Sequence, residues 1–387
     1  MNETCSHQSP SKAHAPTKHS YWADVQDAQW KDWYWQQQNR LRSAEELEKI
    51  FPLTADERRA CHEATEQFRL AVTPYYLSLI DPTNPQDPVR LQAIPQMAEL
   101  QVEEGEFWDP MSEEVHMPVP GLTHRYPDRA LFYVTHNCPV YCRHCFRKRK
   151  VSDPLSAAPK DQLQMGIDYL ARTPAVRDVL VSGGDPLTFS DARLDDLLGQ
   201  LQSIEHLEII RLATRNPVTL PQRITPELAD ILRRRGPLYV NTQFNHINEC
   251  SPEAAEALEI LADAGCVLGN QMVLLKGVNE DPSMVREMNQ WLLKHRCRPY
   301  YIFQCDAAEG ISHFRTPIQR GLDVVEALRG WTSGLAVPHF VIDLPGGGGK
   351  VSMQPDYVRR KNGKTWTFRN FEGKEFDYVE GSEVSKA

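Results

Sequence analysis

With 387 residues, a formal net charge of −9 and a pI near 5.8, the chain has room for one large α/β domain with extensions or for two domains, and is too acidic for general nucleic-acid binding. Its first residues do not read as a signal peptide, and no apolar run is long enough to cross a membrane. Its nine cysteines are then expected to be reduced in a cytoplasmic protein, where closely spaced thiols hold metal more often than they form disulfides.

Residues 1–20 are polar and rich in Ser, His, Lys and Pro, which predicts a disordered tail; His7, His14 and His19 lie in it without a paired acid or cysteine and receive no role. From Tyr21 to about Gln67 the pattern is helical, with Trp22, Trp30, Trp33 and Trp35 as packing anchors. Thr54-Ala-Asp-Glu57 has the form of a capping box opening a helix. Prolines from Pro74 to Pro120 forbid long helices. Residues 21–115 are therefore expected to form a helical arm and a turn-rich linker, packed on a catalytic domain or a sister subunit. Just beyond, Arg125, Tyr126 and Arg129 gather donors able to hold a phosphate, although arginines beside a loop are ordinary.

From Leu131, short β-prone runs alternate with amphipathic runs of helix length. Strands are predicted at 131–136, 177–182, 207–214, 237–244, 267–275, 299–305 and 338–343, and helices at 160–172, 192–202, 226–234, 253–264, 283–296 and 318–330. This alternation implies an α/β fold of parallel strands with right-handed crossovers. The expectation is a complete or partial (β/α) barrel over residues 116–345, followed by a C-terminal segment, 346–387. In such a barrel the loops after the strands carry the chemistry.

The first of those loops places Cys138, Cys142 and Cys145 in a C-x3-C-x2-C spacing. A structural zinc or a fully protein-bound cubane takes four ligands, so three suggest a four-iron cluster with one iron left open. A zinc site borrowing His136 or His144, or three unrelated buried thiols, are the alternatives. The basic run Arg143 to Lys150 is local, and its bland reading is a solvated loop. Ser182-Gly-Gly-Asp185 follows the second strand as a turn whose glycines let backbone approach a ligand. Gly269-Asn-Gln271 lies in the fifth run, and Phe303-Gln-Cys-Asp306 closes the sixth. The seventh closes with Asp343-Leu-Pro and four glycines before Lys350, without the Ser or Thr, the spacing or the helix of a phosphate-binding loop. A lysine near aromatic and acidic groups can act as an amine nucleophile toward pyridoxal 5′-phosphate (PLP); a flexible surface loop is the plain alternative.

The cysteine loop resembles that of the radical S-adenosylmethionine (SAM) superfamily, and the stretch from about Tyr21 to Gly373 resembles the lysine 2,3-aminomutase family. Strings that carry the second resemblance include Thr73-Pro-Tyr-Tyr-Leu-Ser-Leu-Ile-Asp81, Pro120-Gly-Leu-Thr-His-Arg-Tyr-Pro-Asp-Arg129, Leu220-Pro-Gln-Arg-Ile-Thr-Pro-Glu227, Ala262-Asp-Ala-Gly265 and His313-Phe-Arg-Thr-Pro317. It implies a partial (β/α) barrel of the radical SAM type, with a [4Fe–4S] cluster on Cys138, Cys142 and Cys145. It also implies SAM bound by His144, Ser182, Gly183, Gly184, Asp185 and Gln271, the PLP phosphate held by Arg125, Tyr126 and Arg129, and PLP linked as a Schiff base to Lys350. Arg147 would pair with the substrate carboxylate, while Asp306 and Asp343 match the two acids that bind the far ammonium in lysine-specific members.

The implied activity is that of an isomerase converting L-lysine to β-lysine by 1,2-amino migration through a 5′-deoxyadenosyl radical. Related glutamate enzymes carry non-acidic residues at the two acid positions, and a carboxylate pair attracts a cation and disfavours a further carboxylate. Arginine is the nearest competing substrate; glutamate, a lysine side chain on a protein, and a metal scaffold without activity are the remaining alternatives. Implied partners are a free amino acid, an electron donor such as a flavodoxin or ferredoxin, and further copies of the chain in a homo-oligomer, with neither nucleic acid nor membrane. Two departures stand out. No cysteine-rich tail follows Gly381 and Asp281 stands where a zinc cysteine would lie, so no structural zinc is expected; Gln243 replaces a histidine of the usual Asn-Thr-His-Phe-Asn-His string.

Overall fold

The computed structural model describes residues 16–151 and 160–381, and its main feature is a nine-stranded sheet laid out in chain order. Seven neighbouring strands are parallel: β2 (Arg129–Thr135), β3 (Asp178–Gly183), β4 (Ile209–Ala213), β5 (Tyr239–Thr242), β6 (Val267–Leu274), β7 (Cys297–Gln304) and β8 (His339–Leu344). Each falls on a predicted run. The crossover helices Lys160–Ala171, Asp191–Gln202, Pro226–Arg234, Pro252–Asp263, Pro282–Lys294 and Ile318–Leu328 do as well. Their starts are written locally: Ser190, Thr225, Ser251 and Asp281 each accept a first-turn N–H, and proline opens three of the four helices where no donor is needed. Strand residues such as Val181, Leu212 and Ile302 share one buried cluster with Leu194, Leu198, Leu258 and Leu261 of the helices. Each such side chain contributes about 1.5–3 kcal/mol on burial.

The sheet is open. An extra strand lies antiparallel at each edge, β1 (Leu122–Tyr126) beside β2 and β9 (Gly349–Met353) beside β8. Sequence reading leaves both as loops, so Arg125 and Tyr126 move from a loop to an edge strand, and Lys350 from a glycine run to another. An edge strand with few buried positions has no apolar alternation to reveal it. The two edges meet where the Lys350 backbone N–H donates to the Tyr126 hydroxyl across 3.2 Å.

The arm folds into short helices, among them Trp33–Gln38 and Ala55–Glu63, and the expected capping box is present: Thr54 Oγ1 accepts from Glu57 N at 3.1 Å and Thr54 N donates to the Glu57 carboxylate at 2.8 Å. Trp22 joins the barrel's buried cluster, and Arg223 of the barrel stacks on Trp33 at 4.6 Å, so the arm packs on the barrel of its own chain. Of the predicted tail, residues 1–15 lie outside the described residues, as do residues 382–387 of the C-terminal segment. The rest of that segment carries β9 and a separate antiparallel sheet of β10 (Val358–Asn362), β11 (Thr365–Arg369) and β12 (Glu375–Val379). No helix among the described residues is long and apolar enough to cross a membrane.

Candidate active site

The chain leaves β2 into the cysteine loop, and the arm and linker hold that loop's backbone. Tyr141 N donates to the Ala71 carbonyl at 3.0 Å, Arg143 N to the Gln92 carbonyl at 2.9 Å, and Arg40 reaches the Asn137 side chain at 3.1 Å. Cys138, Cys142 and Cys145 line one cavity with Arg143 and Lys148. Among the described residues no three His, Cys, Asp or Glu side chains converge closely enough for a single ion. Three thiol donors in one loop suit a cluster with one iron left open better than a structural zinc site, which takes four ligands. Burial raises the Cys138 thiol well above its ordinary value, with Asp185 and the other two cysteines adding to it, and burial followed by Cys142 pushes Cys145 up to about 11. Thiols that resist ionising are poor nucleophiles, but a bound metal ionises them outright. The donor set therefore fits an iron–sulfur cluster.

The basic run is not solvated, which corrects the bland reading. Arg143 and Lys148 are buried and share Glu99 at 2.9 and 3.0 Å, Arg149 pairs with Asp109 at 2.8 Å, and Lys150 with Glu114 at 3.1 Å.

Behind the cysteine loop lies the Ser182–Asp185 turn. Gly184 N donates to the Thr135 carbonyl at 2.6 Å and Asp185 N to the Asn137 carbonyl at 2.8 Å. A Cβ on Gly184 would stand 2.4 Å from the Asn137 carbonyl oxygen, so the contact between these two loops itself demands glycine. The Asp185 carboxylate accepts from Thr214 Oγ1 at 2.8 Å, Arg215 N at 2.7 Å and Leu187 N at 3.0 Å. Those donors fill most of its capacity, so Asp185 locks the end of β3 to the end of β4 instead of presenting a free carboxylate. His144 is buried with Nε2 3.3 Å from Asn245 Nδ2, and is held neutral by burial first and then by the Arg215 cation. The replaced position, Gln243, faces the same imidazole. Gln271 sits beside the register shift between β6 and β7, on the strand face it shares with Gly269 and Val273.

At the other end of the rim, β8 and β9 pair Asp343 directly with Lys350. The Lys350 Nζ lies 2.7 and 2.5 Å from the two Asp343 oxygens and 4.8 Å from the centre of the Phe303 ring. The turn before it requires glycine, since Gly346, Gly347 and Gly349 have φ of +67°, +81° and +96°. Arg125 and Arg129 stand 5.1 and 4.0 Å from the Tyr126 ring, and a Cβ on Gly349 would lie 3.1 Å from Arg125 Nη2. The three phosphate candidates therefore form one cationic cradle against the backbone that carries Lys350.

Asp306, just past β7, is pushed up to about 7 by burial and then by Asp343, while Lys350 and Arg147 act on it in the opposite direction. Arg147 also acts on Cys145. One arginine thus lies within electrostatic reach of both Cys145 at the thiol end and Asp306 at the lysine end. Arg147 is already paired side-on with buried Glu113, Nε and Nη2 lying 2.9 and 2.6 Å from Oε1, and its guanidinium stands 5.1 Å from the Tyr133 ring and 4.6 Å from that of Phe146.

Sequence reasoning gives no role to Glu113, Arg215 or Phe303. Arg215 had a usable signal, being a charged residue just past the end of a barrel strand. Glu113, in an irregular proline-flanked segment, had none.

Comparison with known proteins adds a second line. A family profile described as Lysine-2,3-aminomutase matches residues 325–387, and one described as Radical SAM superfamily matches residues 132–288. An L-lysine 2,3-aminomutase of Clostridium subterminale is 49% identical over 356 residues, covering 92% of this chain and 86% of its own length. An L-lysine 2,3-aminomutase of Bacillus subtilis (strain 168) is 46% identical, with 95% and 79% covered. A glutamate 2,3-aminomutase of Clostridioides difficile (strain 630) is also 46% identical, with 89% and 82% covered.

Proposed function

The chain belongs to the lysine 2,3-aminomutase family of radical SAM enzymes, and from that premise we propose that it converts free L-lysine to β-lysine by moving the amino group from Cα to Cβ. Identity does not choose the substrate, because lysine- and glutamate-specific relatives match at 49% and 46%. The observation that carries the choice is the acid pair: Asp343 holds the Lys350 amine at 2.7 Å, and Asp306 lies within electrostatic reach of Asp343, Lys350 and Arg147. An amino acid with a distal ammonium spans those two poles. The second carboxylate of glutamate would meet two acids in a buried setting. A guanidinium could also bridge two acids, so arginine is the second reading.

When bound, the cluster and SAM supply a 5′-deoxyadenosyl radical that removes and returns a hydrogen, and PLP supplies the π-system across which nitrogen migrates. The rest is the work of this chain. Cys138, Cys142 and Cys145 would hold the cluster, and His144, Gln271 and the turn Ser182, Gly183, Gly184 and Asp185 would enclose SAM. Arg125, Tyr126 and Arg129 hold the PLP phosphate. Lys350 is the amine that joins PLP, and Asp343, 2.7 Å from its Nζ, is placed to take the proton the ammonium must lose. Arg147 offers the substrate carboxylate the donors that Glu113 leaves open. Tyr133 and Phe146 flank the Arg147 guanidinium and Phe303 lies beside the Lys350 amine, apolar rings that would limit water there. A one-electron donor such as a flavodoxin or ferredoxin reduces the cluster.

The test is anaerobic reconstitution with SAM, PLP and reductant, assaying lysine, arginine and glutamate under identical conditions. Lysine is expected to turn over at least tenfold faster than either competitor. Equal rates with glutamate, or no turnover of any of the three, would overturn the reading.

A further inference from the structure

Arg215 lies just beyond β4 and has no part in the roles above. It is 9% exposed, and acceptors from five elements surround its guanidinium. Nε donates to the Gln243 carbonyl at 3.0 Å, and Nη2 to Glu249 at 2.6 Å, Gln92 at 2.7 Å and the Tyr76 hydroxyl at 3.3 Å. The remaining nitrogen, Nη1, donates to Cys142 Sγ at 2.8 Å.

Those acceptors are themselves fixed. Glu249 accepts from the Tyr76 hydroxyl at 2.7 Å, Asn245 N at 2.6 Å and His246 N at 3.1 Å, and the Gln92 oxygen accepts from Asn245 Nδ2 at 2.9 Å. The guanidinium cannot swing away from the sulfur without breaking several buried bonds. Glu249 balances its charge, so what reaches Cys142 is mainly a directed N–H. Hydrogen bonds to cluster sulfurs and nearby positive charge favour the form with the extra electron.

We propose that Arg215 is a positioning residue that raises the reduction potential of the iron–sulfur cluster through its hydrogen bond to Cys142. The inference rests on the three cysteines being the cluster's ligands, as argued above. Within that reading it explains why a buried Arg–Glu pair stands beside the loop: it holds one ligand's environment constant while electrons come and go.

The test is a reduction titration followed by electron paramagnetic resonance on anaerobically reconstituted full-length protein: wild type, R215K, E249Q and R215M/E249Q, with iron content measured alongside. In R215M/E249Q both charges go and the N–H donor is lost. Its oxidised-to-reduced ratio at the wild-type midpoint should rise at least tenfold, 59 mV for one electron. In E249Q the cation is left unbalanced, so the potential should shift in the positive direction, and R215K should lie between wild type and the double variant. Opposite signs are what general loosening would not give. Equal midpoints in all four proteins at equal iron content would overturn the proposal. So would a drop in iron content with every variant shifting the same way, because Arg215 would then be a structural support alone. A wild-type chain that takes up no iron would overturn the reading of the cysteines and this inference with it, and the iron assay tells that outcome from the others.

Discussion

Cys142 and Lys350 sit on one rim in different mechanical settings. The cysteine loop follows an interior strand and is tied to the arm by Arg40, to the linker by the buried Arg143–Glu99 ion pair, and to the end of β4 by the Arg215–Cys142 hydrogen bond, with Arg215 itself paired to buried Glu249. Lys350 is on an edge strand, its side chain 38% exposed, with Asp343 and the face of Phe303 as neighbours. Breaking a buried pair strands a charge away from water, at about 3–5 kcal/mol, whereas an ion pair open to solvent is worth up to about 1 kcal/mol. The contrast matches what the proposed function asks of each end. A cluster held by these cysteines would gain from surroundings that do not rearrange, while an amine that changed partners in every turnover would have to let go easily.

The largest expected effect follows directly. Lys350→Ala should abolish turnover, by more than about a thousandfold, and remove the visible absorbance of lysine-linked PLP. Iron content and melting temperature should stay at wild-type values. If melting falls by several degrees, the lysine end is not mechanically independent and the contrast fails; if the absorbance persists, another lysine holds the cofactor.

The converse belongs to the cysteine end. Glu99→Ala leaves Arg143 and Lys148 buried without their acid and should destabilise the chain by about 3–5 kcal/mol, with iron uptake falling alongside. Burial opposes the Glu99 charge, but Arg143 and Lys148 outweigh it and hold this carboxyl down at about 2, below its ordinary 4.5. Its stabilisation is therefore complete above about pH 4.5 and is lost as pH falls toward 2. Denaturation melts of wild type and variant across that range check both sign and window: the gap between them should close in acid.

The same contrast decides what a sequence can disclose. Cys138, Cys142 and Cys145 announce a metal because their ligand geometry forces them within eight residues of one another. The seven parallel strands are legible because strands covered by helices must be apolar runs of strand length. The partners of those motifs are not. Glu113 meets Arg147 across 34 residues and Arg215 meets Cys142 across 73, distances at which no local pattern survives. At the lysine end the Asp343 to Lys350 pairing depends on the register of a hairpin, and β9, mostly exposed, leaves no periodic trace. The lysine's role therefore comes from resemblance, where the cluster's could be argued from chemistry.

Asp306 stands between the two regimes, being half-buried and, on the proposed function, a residue that meets substrate. Asp306→Asn should lower kcat/KM for lysine by about 30-fold or more, the 2 kcal/mol or more expected when one member of a buried charge pair is removed. It should not lower stability. Because burial and Asp343 raise this carboxyl to about 7, its ionised form destabilises the fold above pH 7, and that penalty is relieved as pH falls toward the ordinary value of 3.8. The asparagine variant should thus melt at or above wild type at pH 8. For wild type, kcat/KM for lysine should climb as pH rises through about 7 and then level, since binding an ammonium favours the ionised acid. A profile through that range that is the same in variant and wild type would remove Asp306 from the substrate's cation site.

The smallest effect sharpens the comparison most, because Glu113 belongs to the buried regime yet grips Arg147, the residue proposed to meet the substrate carboxylate. It grips Arg147 along Nε and Nη2, which fixes the plane of the guanidinium and leaves Nη1 outside the pair. Glu113→Gln keeps the shape and removes the charge. If Glu113 aligns Arg147, the substrate should still bind but in a poorer geometry, so kcat should fall about tenfold while KM changes less than threefold, a loss of about 1.4 kcal/mol in the transition state. If Glu113 instead competes with the substrate carboxylate for Arg147, the variant should show a several-fold lower KM at unchanged kcat. Michaelis parameters for lysine separate the two, and the second result would mean that the buried network restrains the site where the first has it build the site.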